Sequence, residues 1–301
     1  MIGRLLKCTA TAVLLTLLAG TTASAAPLKV VATFSIIGDL VRQVGGETIQ
    51  VTTLVAPGSD AHVYQPTPSD AKAIAGADLV VVNGLGMEGW LDRLIKVSGY
   101  KGKVIVASQG VKAQTMIEED GKGRPVTDPH AWQDLANGRI YVANIAKALS
   151  TADTANAAIY QQRADRMATE IDSLDAWVRQ QIADVPPTKR KIITSHDAFG
   201  YFGSSYGVTF LAPVGISTES EPTAAGLGKL VTQIKKDKIK ALFIETMTDP
   251  RLIEQLARET GAVVGPALYS DTLSPSDGPA PTYLDLFRHN VPAMTEAMKK
   301  N

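Results

Sequence analysis

The stretch from Asp153 to Asp184 reads DTANAAIYQQRADRMATEIDSLDAWVRQQIAD. Within it Tyr160, Ala164, Met167, Ile171, Leu174, Val178 and Ile182 recur at steps of four and three. That spacing puts them on one face of a single helix. A helix of ~30 residues is about 45 Å long, and Pro186-Pro187 stops it. In a chain that otherwise alternates short strands and helices, it is placed to cross the molecule and link two lobes. A coiled-coil dimerisation arm is the rival reading. A stripe with Tyr160 and Ala164 in place of sustained leucines argues against it, and a monomer is expected.

On both sides of this stretch the pattern is α/β. Leu28–Phe34, Ile49–Val55, Asp78–Val82 and Val104–Val106 read as strands, and Ile36–Val44, a segment opened by Pro68-Ser69-Asp70, and Met87–Val97 read as helices. Asp78–Val82 is almost continuously apolar, as in a parallel strand buried on both faces. From Ala113 to Thr127 the rhythm breaks into a polar stretch containing Glu118-Glu119-Asp120, read as a mobile loop. Asp134 opens a helix to about Leu149. After the double proline come strands at Lys191–Thr194, Val208–Leu211, Ala241–Glu245 and Ala262–Val264. Helices are expected between Gly226 and Lys236, over Leu252–Thr260 and over Tyr283–Met298. Alternation of this kind predicts parallel sheets. The expected division is an α/β lobe over 27–150, a linking long helix over 151–187 and a second α/β lobe over 188–301.

The first residues have the form of a targeting segment. Arg4 and Lys7 precede an apolar run from Ala10 to Ala19, and Ala23-Ser24-Ala25 offers a small-residue cleavage site. A signal peptide over 1–26, cut after Ala25 or Ala26, predicts an exported, periplasmic protein. The one cysteine, Cys8, precedes the apolar run and leaves with it, so neither a disulfide nor a thiolate ligand is expected. Loss of Arg4 and Lys7 from 30 basic residues leaves 28 against 30 acidic ones, a net charge of −2. No basic stretch is dense enough for nucleic acid.

Chemistry concentrates in three of the four histidines. His62 ends Gly58-Ser59-Asp60-Ala61-His62, His130 ends Thr127-Asp128-Pro129-His130, and His196 lies in Thr194-Ser195-His196-Asp197. Each sits where a strand or loop hands over to a helix, as does Asp271 in Leu268-Tyr269-Ser270-Asp271. In open α/β sheets such handovers carry ligand sites. Three imidazoles and one carboxylate, two from each lobe, would form a closed four-ligand site in the cleft, suited to zinc. The fourth histidine, His289, lies in the last helix and reads as structural or surface. Glu219, Glu221 and Glu245 are candidates to orient the ligands. The Glu118–Asp120 run is a candidate to guide cations or close over the site.

These motifs resemble those of the periplasmic metal-binding components of ABC transporters for zinc and manganese. The resemblance covers nearly the whole chain after the signal segment. It is carried by His62-Val63-Tyr64-Gln65-Pro66-Thr67-Pro68-Ser69-Asp70, Asp128-Pro129-His130-Ala131-Trp132-Gln133-Asp134, His196-Asp197-Ala198-Phe199-Gly200-Tyr201-Phe202 and Ser270-Asp271-Thr272-Leu273-Ser274. Tyr283-Leu284-Asp285 and Asn290 are further landmarks. It implies two α/β lobes joined by one long rigid helix, with His62, His130, His196 and Asp271 as metal ligands. It also implies delivery of the ion to an ABC permease membrane subunit, with a periplasmic metallochaperone as a further candidate partner.

The chain looks most like the zinc branch, because the manganese branch usually carries Glu where His196 stands. The expected cargo is therefore Zn2+, with Mn2+ as the alternative, and no catalytic activity is expected. Two departures stand out. Ala61 occupies the place where proline usually precedes the first histidine, and the Ala113–Thr127 stretch lacks the His-rich insertion of many zinc members. The rival functions are a zinc-dependent hydrolase, which needs a coordination position open to water, and a metal-binding adhesin. The lack of a lipid-attachment cysteine argues against surface anchoring.

Overall fold

The structure, a computed structural model, describes residues 26–117, 125–219 and 222–301. Residues 1–25 of the expected signal segment, the Glu118–Asp120 run and Glu221 lie outside the described residues. The first lobe is built on β1 (Leu28–Phe34), β2 (Ile49–Val55), β3 (Leu79–Val82) and β4 (Lys103–Val106). These form one sheet in the order β2-β1-β3-β4, with every pair parallel. The crossovers are α1 (Ser35–Gly45), α2 (Pro68–Ala75) and α3 (Leu91–Ser98). Alternate strand residues serve opposite faces. Val30, Ala32, Phe34, Leu79 and Val81 join the large central core, while Val31, Val80 and Val82 join a second core with Ile74, Leu91 and Leu94.

Two expectations need correction here. The helix expected from Met87 starts only at Leu91, because Gly84, Leu85 and Gly86 all take positive φ and turn the chain first. Glu88 holds that turn, accepting from the backbone of Asn83 and Gly84 and from the Thr33 hydroxyl. The Ala113–Thr127 stretch is not simply a loop either. Its arms pair as the antiparallel ladder β5 (Thr115–Ile117) and β6 (Pro125–Thr127), where β-branched residues favour extended backbone.

α4 (Leu135–Ala152) is capped by the Asp134 carboxylate, which accepts from Ala136 N. α5 (Ala157–Ala183) follows, after a single tight turn at Thr154–Asn156. The buried residues of α5 are Tyr160, Ala164, Met167, Ile171, Leu174, Val178 and Ile182, the stripe read from the spacing. One end of α5 is tied to the first lobe: Tyr160 OH accepts from Thr48 at 3.1 Å and Arg163 donates to the Gly45 carbonyl. The other end is tied to the second lobe, where Arg179 donates to Ser205 O at 3.0 Å and Tyr206 OH donates to Asp175 at 2.7 Å.

The second lobe contains β7 (Lys191–Ile193), α6 (Gly200–Tyr206), β8 (Thr209–Leu211), α7 (Ala224–Asp237), β9 (Ala241–Leu242), α8 (Arg251–Thr260), β10 (Val263–Val264) and α9 (Tyr283–Met298). Its sheet order is β10-β9-β7-β8, again all parallel. The short helix α6 was not legible in the sequence. Two glycines weaken its helical signal, and Gly203 is required because a Cβ there would meet the Val208 carbonyl at 2.7 Å. The central apolar core is continuous from β1 through α5 to Phe243 and α9, so both lobes share it. A third core lies under α7 and α8.

A shared core should unfold as one unit. Ile171→Ala is expected to lower the unfolding free energy by about 2–5 kcal/mol. Tryptophan fluorescence and far-UV circular dichroism should then report one coincident urea transition; two separated transitions would show that the lobes fold independently.

Candidate metal centre

His62 leaves β2 through a turn in which Gly58 takes φ 79°. Asp60 Oδ1 accepts from His62 N at 2.8 Å, an Asx-type turn. Beyond the histidine, Tyr64 packs edge-on against Trp90, whose indole donates to Ala61 O at 2.9 Å. Tyr64 OH also donates to Asp70 in the capping box of α2. The loop is thereby pinned on both sides of His62.

His130 is oriented by Asp128. One carboxylate oxygen accepts from His130 N at 2.9 Å and lies 2.7 Å from its Nδ1. Assigning the Nδ1 proton to that contact leaves the Nε2 lone pair facing the cleft. The same segment reaches the other lobe, since Trp132 Nε1 and Gln133 Nε2 both donate to Ser270 O at 2.9 Å.

His196 follows β7 and Glu245 follows β9, on neighbouring strands where the sheet order switches direction. Glu245 Oε1 accepts from His196 N at 2.9 Å. Its Oε2 lies 2.7 Å from His196 Nδ1 but off the line of a good hydrogen bond, so that contact is chiefly electrostatic. Ser270 Oγ donates to Glu245, which ties this carboxylate to the segment carrying Asp271.

The structure brings all four expected residues together. Asp271 Oδ2 lies 3.1 Å from both His62 Nε2 and His196 Nε2, and Oδ1 lies 3.6 Å from His130 Nε2. His62 Nε2 and His130 Nε2 are 3.2 Å apart. One candidate ligand atom from each side chain falls within 4.8 Å of all the others. A tetrahedral ion with bonds of ~2.0–2.1 Å separates its ligands by roughly 3.3 Å, so the spacing suits such an ion. His130, His196 and Asp271 are almost wholly buried, and Asp271 Oδ1 has no hydrogen-bond partner. A buried carboxylate with an unpartnered oxygen calls for positive charge.

In the metal-free protein that charge comes from protons. Burial opposes ionisation of Asp271, yet the facing His130 and His196 hold its carboxyl well below the usual range. Burial likewise opposes protonation of His130, but Asp271 and Asp128 outweigh it and push the imidazole up to about 9. His196 is raised well above its usual value against burial, by Glu245 and Asp271.

Of the other candidates, Glu245 touches His196, whereas Glu219 is exposed with its backbone N donating to Ser217 Oγ. His289 lies against the Ala267 carbonyl and the Tyr269 ring, in α9. Asp60 and Asp128 are functional residues that sequence reasoning misses. The Asp-x-His spacing, present twice, was the available signal.

Fold and site together define a two-lobed metal-binding protein of the solute-binding kind. The chain belongs to the family described as zinc-uptake complex component A, periplasmic, whose model matches residues 30–297. It is 31% identical to the manganese-binding lipoprotein MntA of Halalkalibacterium halodurans, covering 93% of this chain and 92% of that protein. It is 32% identical to the manganese ABC transporter substrate-binding lipoprotein PsaA of Streptococcus pneumoniae, over 93% and 92%. Among solved structures it is similar to the manganese-bound periplasmic metal binding protein from Candidatus Liberibacter asiaticus. That match has a TM-score of 0.80 and 33% identity, covering 90% of this chain and 99% of the other. The cadmium-bound form of the same protein matches with a TM-score of 0.79.

The raised His130 value fixes the sign of a pH effect. Its contribution to metal-free stability is complete below about 6.5, the free imidazole value. It is lost as pH rises through about 9. Metal ligation requires the neutral ring, so affinity moves oppositely and strengthens over the same window. Thermal melts of metal-free protein from pH 6 to 9.5 should show falling stability, while the metal-loaded protein holds or gains. Parallel pH profiles for the two forms would contradict this proton–metal exchange.

Proposed function

We propose that this protein captures a divalent transition-metal ion outside the cytoplasm and delivers it to the membrane permease of an ABC transporter. His62, His130, His196 and Asp271 are its ligands and Mn2+ is its cargo. The observation that carries the reading is the convergence of four ligand atoms within 4.8 Å in the cleft of a family member. Manganese is supported by the relatives named for it over more than nine-tenths of the chain. The manganese-bound solved relative adds to that support. The proposal retains the lobe limits 27–150 and 188–301, the connection 151–187, and export by the leading segment with cleavage after Ala25 or Ala26.

Zinc is the second reading, and the donor set favours it. Three imidazole nitrogens and one carboxylate bind Zn2+ more tightly than Mn2+ in the ordinary stability order of divalent metals. The two readings therefore share one site and differ in which ion the site meets. A hydrolase reading has less support, because four convergent side chains leave a tetrahedral ion no position for water.

Offered Mn2+ alone, the stripped, untagged protein should take up one ion in native mass spectrometry, and added Zn2+ should displace it. Failure to hold Mn2+ with retention of one Zn2+ would move the cargo to zinc. No stoichiometric metal of either kind would end both readings. His130→Ala, His196→Ala and Asp271→Ala should each weaken binding by more than roughly 100-fold. Glu245→Gln should fall in the ~10–100-fold range of groups that orient a ligand. Competition titration with a chelator measures the series, and an Asp271→Ala variant of wild-type affinity would remove that residue from the ligand set.

A further inference from the structure

A cavity of about 230 Å³ reaches His196 from outside the cluster, lined among others by Asp60, Ser195, Thr218, Met247 and Asp249. Its walls come from both lobes. Asp60 belongs to the His62 loop of the first lobe, and the remaining residues belong to the second. Asp60 and Thr218 meet there: Thr218 Oγ1 donates to Asp60 Oδ2 at 2.6 Å, joining residues 158 positions apart. The other oxygen of the same carboxylate holds His62 N at 2.8 Å. One side chain thus fixes the backbone of a cluster histidine and ties its loop to the opposite lobe. A second tie flanks it, where Gly58 N donates to Thr272 Oγ1 at 2.7 Å and approaches Leu273 O at 3.2 Å. That tie runs to the Asp271 segment and does not border the cavity.

The frame offers little other freedom. α5 is anchored in both lobes, and the central core runs through both. Wide hinge opening would break that core. His130, His196 and Asp271 are almost wholly buried, so an ion's path to them runs past the loops that cover them. The Asp60–Thr218 bond is a single hydrogen bond between two half-buried side chains on loops, and loops are drawn from the least stable parts of a fold.

We propose that the Asp60–Thr218 hydrogen bond is a latch that holds the His62 loop against the second lobe beside the metal cluster, and that its opening sets the rate of metal exchange. The proposal rests on the ligand assignment above. Asp60 is a positioning residue here and does not touch the ion. An ion that passes this loop must break the latch in both directions, so removing the latch speeds uptake and release together and leaves the equilibrium affinity nearly fixed. A residue that merely supported ligand geometry would change release alone and shift the affinity in proportion.

The test is stopped-flow release of Mn2+, and separately of Zn2+, from the loaded full-length chain into excess chelator, paired with uptake by the stripped protein. Thr218→Val keeps the shape of the side chain and removes the donor. Both rates should rise about tenfold, the loss of one hydrogen bond to a charged acceptor, with the dissociation constant changing less than about threefold. Thr218→Ser keeps the donor and should exchange at the wild-type rate. In an Asp60→Ala background, Thr218→Val should add nothing, because the acceptor is already gone. Unchanged rates in Thr218→Val, or faster release with proportionally weaker binding, would overturn the latch. Failure of the ligand assignment would show separately, as wild-type affinity in His130→Ala, and would take the latch with it.

Discussion

A single buried carboxylate organises the cleft. Asp271 faces His62, His130 and His196 at 3.1 to 3.6 Å, with one oxygen unpartnered and almost no solvent to shield it. Such a group is costly unless positive charge accompanies it. Protons on the facing imidazoles supply such charge, and His130 and His196 are both raised above the ordinary imidazole value. The segment carrying Asp271 is correspondingly well held. Ser270 receives Trp132 and Gln133 through its carbonyl and reaches Glu245 through its hydroxyl. Leu273 N donates to Ser35 of the first lobe at 3.0 Å. Contacts that place this carboxylate also join the two lobes.

The long helix explains why the site can be so exacting. Its apolar stripe feeds a core common to both lobes, and polar anchors fix each end. Lobes held this way bring side chains from both sides to within 4.8 Å of one another. The Asp60–Thr218 and Gly58–Thr272 hydrogen bonds tie the His62 loop to the opposite lobe.

Cargo identity is a separate matter from ligand geometry. A nitrogen-rich cluster prefers zinc over manganese by intrinsic affinity, while two relatives that match more than nine-tenths of the chain are themselves named for manganese. Nothing in the donor set bars Mn2+, and in this class of site the ion carried depends on supply as well as on strength of binding. The carboxylates behind His130 and His196 raise the basicity of those imidazoles.

Features written in short-range periodicity and local chemistry are readable from the amino-acid order alone. These are the α5 stripe, the parallel α/β rhythm on both sides of it, and the four residues at strand-to-helix handovers. They were legible because each depends on neighbours a few positions away. The tertiary structure decided which acid serves which histidine. Asp60 and Asp128 stand at the same spacing from His62 and His130, yet only Asp128 turns its carboxylate to the ring, while Asp60 reaches Thr218 across the cleft. Glu245 and not Glu219 meets His196, from 49 residues away. The short helix α6 likewise forms where packing overrides weak local preference. Such choices are settled by the close packing of distant segments, and no local pattern in the chain encodes the distance between two loops of opposite lobes.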